Sequence, residues 1–142
     1  MITDIFLGIF LFICSVTDIR SKEVKPAVLA AFGAAAVVLY LVIRPVGIFE
    51  EAAGIIIGLT FVALSLISEG KIGLGDGLLM TVTGLFLGGR QNAFLIMTAM
   101  LLSALFSIGY LLSKKGNRKT RFAFVPFMFA SFLIRITAGR FL

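Results

Sequence analysis

The stretch "KIGLGDGLLM", residues 71–80, separates the apolar runs "GIIIGLTFVALSLI" (54–67) and "TVTGLFLG" (81–88). A lysine and glycines close one oily segment, and an aspartate, Asp76, stands where the next one opens. A membrane helix needs about 20 mostly apolar residues to cross the hydrocarbon core, so this break reads as a loop between two spans. Working outward, apolar runs recur near residues 2–17, 27–43, 52–67, 76–89, 92–112 and 122–138. The expectation is an all-α polytopic membrane protein, a bundle of six transmembrane helices, with residues 1–142 forming one integral membrane domain.

Composition supports this. Of the 142 residues, 60% are hydrophobic and 14% charged, and the mean hydropathy is +1.12. That is more apolar surface than the core of a soluble domain absorbs. The opening "MITDIFLGIFLFICSVTD" (1–18) lacks a basic start and a small-residue cleavage site, so it reads as the first span and not as a signal peptide. Cys14 is the single cysteine and lies inside that span. No disulfide framework or CxxC site is available, and Cys14 is expected to pack.

The charges sort by side. Arg20, Lys22, Lys25, Lys71, Lys114, Lys115, Arg118, Lys119 and Arg121 follow odd-numbered spans, whereas Arg44, Arg90, Arg135 and Arg140 fall on the other side. The positive-inside rule then places the odd-numbered loops in the cytoplasm and both termini outside. Asp18, Glu23, Glu69 and Asp76 share the cytoplasmic side, with Asp4, Glu50 and Glu51 opposite. Anionic lipid headgroups are the expected partner of the basic face, each cation contributing about 1 kcal/mol near such a surface. Nucleic acid is not expected, since the basic runs are short and lack interleaved aromatics.

The sequence has no histidine, which removes Ser-His-Asp, Cys-His and His-zinc chemistry. "GLGDG" is too short for a dinucleotide fingerprint and no phosphate-binding loop is present. No cofactor and no metal are therefore expected. What remains is carboxylate chemistry. Asp18 ends the first span and Asp76 opens the fourth, so both belong at the same membrane depth. Two carboxyls about 3 Å apart share a proton, and such a pair activates water against a carbonyl. It titrates as a coupled unit. A plain helix cap is the alternative for Asp76, because aspartate is favoured at helix starts. Asp18 sits at a helix end, where the macrodipole disfavours negative charge, and is harder to explain as a cap of its own helix.

Gly73, Gly75 and Gly77 flank Asp76 and are expected to let an extended peptide approach the carboxyl. "GIIIG" (54–58) and "GLFLG" (84–88) are GxxxG patterns and are expected to pack helices together.

"DIRSKEVKP" (18–26), followed by Gly73, Leu74, Gly75 and Asp76, resembles the type IV prepilin peptidases, the GxGD class of aspartic membrane proteases. "FAFVPFMFASFL" (122–133), with Pro126 and Phe127, resembles the opening of that family's last span. The resemblance implies Asp18 and Asp76 as catalytic aspartates and a prepilin-like membrane protein as substrate, cut at its cytoplasmic N-terminal leader. It further implies the short peptidase-only form found with Tad-type or preflagellin systems, because nothing here matches the paired CxxC region of longer members. Leu78 stands where the family has a lysine, Ala27 where it has asparagine, and Lys25 is interposed before Pro26. The competing expectation is a non-enzymatic membrane component, a transporter subunit or pilus assembly platform, whose aspartates are proton sites or caps.

Overall fold

The computed structural model describes residues 2–43, 47–69, 73–113 and 122–141. Arg44, Lys71, Lys114, Lys115, Arg118, Lys119 and Arg121, which carry much of the charge asymmetry, lie outside the described residues. The described chain is helical: α1 (Ile2–Ser21), α2 (Pro26–Ile43), α3 (Ile48–Ile67), α4 (Leu74–Leu112) and α5 (Val125–Phe141). Helices α1 to α4 are each long and apolar enough to cross a membrane, and α5 is a shorter apolar helix. Large apolar side chains such as Ile5, Val42, Ile67, Met97 and Leu105 face outward, as lipid contact demands and water does not tolerate.

Five helices replace the expected six. The loop anticipated near residue 90 does not exist, because helical structure continues through it and only Gly88 leaves the helix, at φ 74° and ψ 175°. That region of backbone space is open essentially to glycine alone. The chain nonetheless reverses there. In a straight helix residues 80 and 92 stand about 18 Å apart, yet Asn92 Nδ2 donates to the Met80 carbonyl at 3.0 Å. α4 is thus two arms folded back on each other, and the first, from Leu74 to Gly88, is about 21 Å long, short of a ~30 Å hydrocarbon core. The sequence places the break at residues 90–91, between the runs 76–89 and 92–112, whereas Gly88 performs the reversal.

The reversal is held by polar contacts. Thr83 Oγ1 donates to Asn92 Oδ1 at 2.7 Å, and Asn92 Nδ2 also reaches the Gly54 carbonyl at 3.4 Å. At the start of the second arm, where a helix has unsatisfied N–H groups, the Arg90 N–H donates to Glu50 Oε2 of α3 at 3.0 Å.

The first arm lies antiparallel on α3 with little between the backbones. A Cβ added at Gly54 would stand 2.6 Å from the Gly84 carbonyl oxygen, one at Gly58 would collide with the Thr81 backbone, and one at Gly77 would be 2.8 Å from Val62 N. Gly54, Gly58 and Gly84 therefore pack as expected. Gly88 does not, since its role is the break. Around this pair, Leu7, Phe10, Leu11 and Cys14 of α1 meet Leu79, Phe86 and Leu95 of α4 and Val125, Met128 and Phe132 of α5 in the core.

Adding one methyl group tests the packing. Gly84→Ala must force backbone from backbone and is expected to lower thermal stability in detergent by about 1–3 kcal/mol. Gly109→Ala, which meets nothing within 4 Å, is expected to be neutral or stabilising by up to about 1 kcal/mol.

Candidate functional site

One end of the bundle gathers the end of α1 and the beginnings of α2, α4 and α5. α1 stops when Lys22 adopts a left-handed conformation, φ 54°, with its N–H donating to the Asp18 carbonyl at 2.8 Å. A non-glycine residue costs roughly 1–2 kcal/mol there. The turn lays Glu23 and Val24 along the wall of a cavity of about 640 Å³, which Asp18, Lys22, Gly73, Gly75 and Asp76 also line.

Asp18 belongs to the inner face of α1, above Leu11 and Cys14, and is only 6% exposed. Its Oδ2 accepts the Val125 N–H at 3.1 Å, and the Phe124 N–H is directed at the same carboxyl. The local sequence explains the arrangement. The Phe124 carbonyl accepts from the Phe127 and Met128 N–H groups at 3.0 and 3.3 Å, so Phe124 is the cap residue and Val125 the first residue of α5. Val125 N–H has no partner inside the helix, and Pro126 has no N–H at all. Asp18 fills this gap across 107 residues of sequence. It is a cap, but for α5 and not for its own helix.

Asp76 is held differently. Gly73 caps α4 without any side-chain hydrogen bond, and Asp76 is the third residue of the helix, its N–H donating to the Gly73 carbonyl at 3.1 Å. A plain N-cap is therefore not its position. A Cβ at residue 73 would lie 2.9 Å from Asp76 Oδ2, so glycine there gives the carboxyl its room. Gly75 faces Val24, where a Cβ would sit at 3.4 Å. Gly77 departs from expectation: it is buried against Val62 and packs α3 instead of opening the site. Gly77 stands level with Val62, five residues before the end of α3, so Asp76, one residue nearer the start of α4, lies about 6 Å below the end of its neighbour. Asp76 is thereby recessed and half-buried.

Asp18 and Asp76, 58 positions apart in sequence, thus line one cavity. Leu78 packs against the core, and Lys22 is the cation that lines the cavity among the described residues. Sequence reasoning missed the Phe124 and Val125 amides, because a backbone N–H carries no residue identity. The available signal was Pro126, which marks a helix start. At the opposite end Arg135 Nη1 donates to Asp4 Oδ1 at 3.0 Å and Arg135 Nη2 to Gln91 Oε1 at 2.6 Å, which sets Asp4 far from the cavity.

A family model described as the type IV leader peptidase family matches residues 5–112. Asp18, Gly73, Gly75 and Asp76 all fall within it. No curated protein and no solved structure matches the chain.

The contact to α5 separates two substitutions of one residue. Asparagine still offers a side-chain oxygen to the Val125 N–H, whereas alanine does not. Asp18→Ala is expected to lose about 1 kcal/mol of stability, with Asp18→Asn losing clearly less, as read by thermal unfolding in detergent.

Proposed function

The chain belongs to the type IV leader peptidase family, and from that premise we propose that it is an aspartic endopeptidase whose Asp18 and Asp76 cut the cytoplasmic N-terminal leader from a prepilin-like precursor. The observation that carries this reading is the convergence of the two carboxyls, brought from different helices into one recessed cavity. The reaction needs one carboxylate and one carboxylic acid. The carboxylate takes a proton from water as its oxygen attacks the scissile carbonyl carbon, and the acid donates a proton to the carbonyl oxygen. The tetrahedral intermediate then collapses: the C–N bond breaks, the leaving nitrogen takes the proton that the first carboxyl drew from water, and a hydroxyl of the intermediate returns a proton to the second carboxyl. The products are the leader's new carboxylate and the precursor's new amine. Either carboxyl serves either role in this scheme, since the pair titrates as one unit.

The recess fits the task. The precursor's apolar helix lies beside the bundle in the lipid, and its leader, on the cytoplasmic side with the basic loops, enters in extended form over Gly73 and Gly75. Anionic lipid at that face holds the enzyme's basic surface.

The amides on Asp18 favour a second reading, in which the carboxyl is a structural cap in a non-enzymatic membrane component. Asparagine distinguishes the two, because it preserves the cap and abolishes proton transfer. In cells co-expressing a pilin-like precursor, Asp18→Asn and Asp76→Asn are each expected to lower leader removal, read as a gel shift, by at least about 100-fold. Asp4→Asn at the far end is expected to leave it intact. Cleavage that survives both site substitutions would refute the dyad. The wild-type rate is expected to follow a bell-shaped pH profile, because it requires one carboxyl ionised and one protonated.

A further inference from the structure

The first residues of α5 are gripped from two sides. On one side their amides meet Asp18. On the other, Phe122 stacks edge-on against Tyr110 and Phe106 of the second α4 arm, with ring centroids 4.9 and 5.3 Å apart. Phe127 meets the same Phe106 ring at 5.4 Å. Such pairs contribute about 0.5–1.5 kcal/mol each beyond their buried area, and they fix ring positions as well as binding them. Phe122, Ala123 and Phe124, which lead into this clamped turn, line the same cavity as Gly73 to Asp76.

We propose that the Phe124 and Val125 amides, held by the Phe106, Tyr110, Phe122 and Phe127 cluster, position the Asp18 carboxyl within the two-aspartate site. The inference rests on the peptidase reading above and adds a device to it. Asp18 is the last acid on α1 before the chain turns at Lys22, so its own helix gives the side chain a base but not a direction. Two N–H groups converging on one carboxyl supply that direction, and Pro126 ensures that no third donor competes at the next position. The aromatic cluster then makes α5's first turn answer to the second α4 arm. Tyr110, which does not line the cavity, is accordingly a positioning residue.

The scale is set by how steeply reaction rates depend on alignment, where a displacement of about 1 Å costs on the order of 100-fold. Val125→Pro removes one of the two donors at a helix position that accepts proline. With the precursor used in the gel assay, it is expected to lower kcat about 10- to 100-fold with KM within about twofold. Tyr110→Ala is expected to lower kcat about 10-fold, and Tyr110→Phe, which keeps the ring, to restore it.

A readout without substrate uses the full chain in detergent micelles, labelled with carboxyl-carbon-13 aspartate, with the Asp18 resonance assigned by its loss in Asp18→Asn. Val125→Pro and Tyr110→Ala are expected to move that resonance, and Tyr110→Phe to leave it in place. If Val125→Pro does not fold, the Tyr110 pair decides the matter. A Tyr110→Ala protein that melts earlier but keeps both the kcat of its folded fraction and the Asp18 resonance shows a merely structural cluster and overturns the proposal. Cleavage that persists in Asp18→Asn and Asp76→Asn overturns the peptidase reading instead, so the two failures are distinguishable.

Discussion

The reversal at Gly88 governs where everything else lies. With φ at 74°, the backbone leaves the helix at one residue and re-enters at the next. In hydrocarbon, the polar groups exposed by such a break have no water to turn to and must be satisfied by protein. Glu50 meets part of this demand by accepting the Arg90 N–H, and Asn92 braces the two arms by bridging the Met80 and Gly54 carbonyls and the Thr83 hydroxyl. The glycine contacts between α3 and the first arm then fix the arm's course. It is this course that delivers Asp76 to the end of the bundle where α1 terminates, so a candidate catalytic residue owes its place to a glycine 12 residues away.

A common device appears twice. The second α4 arm and α5 both begin with N–H groups that their own helices cannot satisfy, and in both a carboxylate from another helix accepts one of them. Glu50 does so at the end remote from the cavity and Asp18 within the cavity. Local capping motifs are missing at both places, where glycine and apolar residues precede the helix. The bundle therefore closes through side chains from distant sequence, and α1 is tied to α5 by one such bond at the cavity and by the Asp4–Arg135 ion pair at the other end.

Some of this was legible in the residues. Apolar run lengths gave the membrane helices, and small residues at four-residue spacing marked Gly54 and Gly58 as helix-packing positions without naming the helix they meet. The acids Asp18 and Asp76 stood out because charge is costly near a membrane and the sequence offers no histidine. The number of helices was not legible, since a glycine that packs and a glycine that breaks a helix look alike: Gly84 and Gly88 share one GxxxG pattern and do opposite things. Gly77 was misplaced for a related reason, because flanking the aspartate says nothing about which side of the helix a residue occupies. The partners of Asp18 were invisible, as any residue type can offer an N–H. Lys22 and Glu23 reach the cavity only because of a left-handed turn that nothing at Lys22 announces.

The helix dipole makes Asp18 intelligible. An acid in the last turn of α1 lies where carbonyl groups point outward and negative charge is disfavoured, at a cost of about 0.3–1 kcal/mol. Considered from α1 alone it looks misplaced. The N-terminus of α5 brings the opposite field to the same carboxyl, with N–H groups in direct contact, and such a contact outweighs a dipole one helix turn away. Asp76 needs no such rescue, since the first turn of α4 is itself favourable for an acid and leaves its carboxyl without a hydrogen bond from any described residue. The two aspartates are thus chemically alike and mechanically unlike, one fastened by backbone amides and one given room by Gly73. In the proposed reaction that difference has a use: the carboxyl fastened to α5 defines the geometry, and the one beside Gly73 has the latitude to follow the reacting atoms.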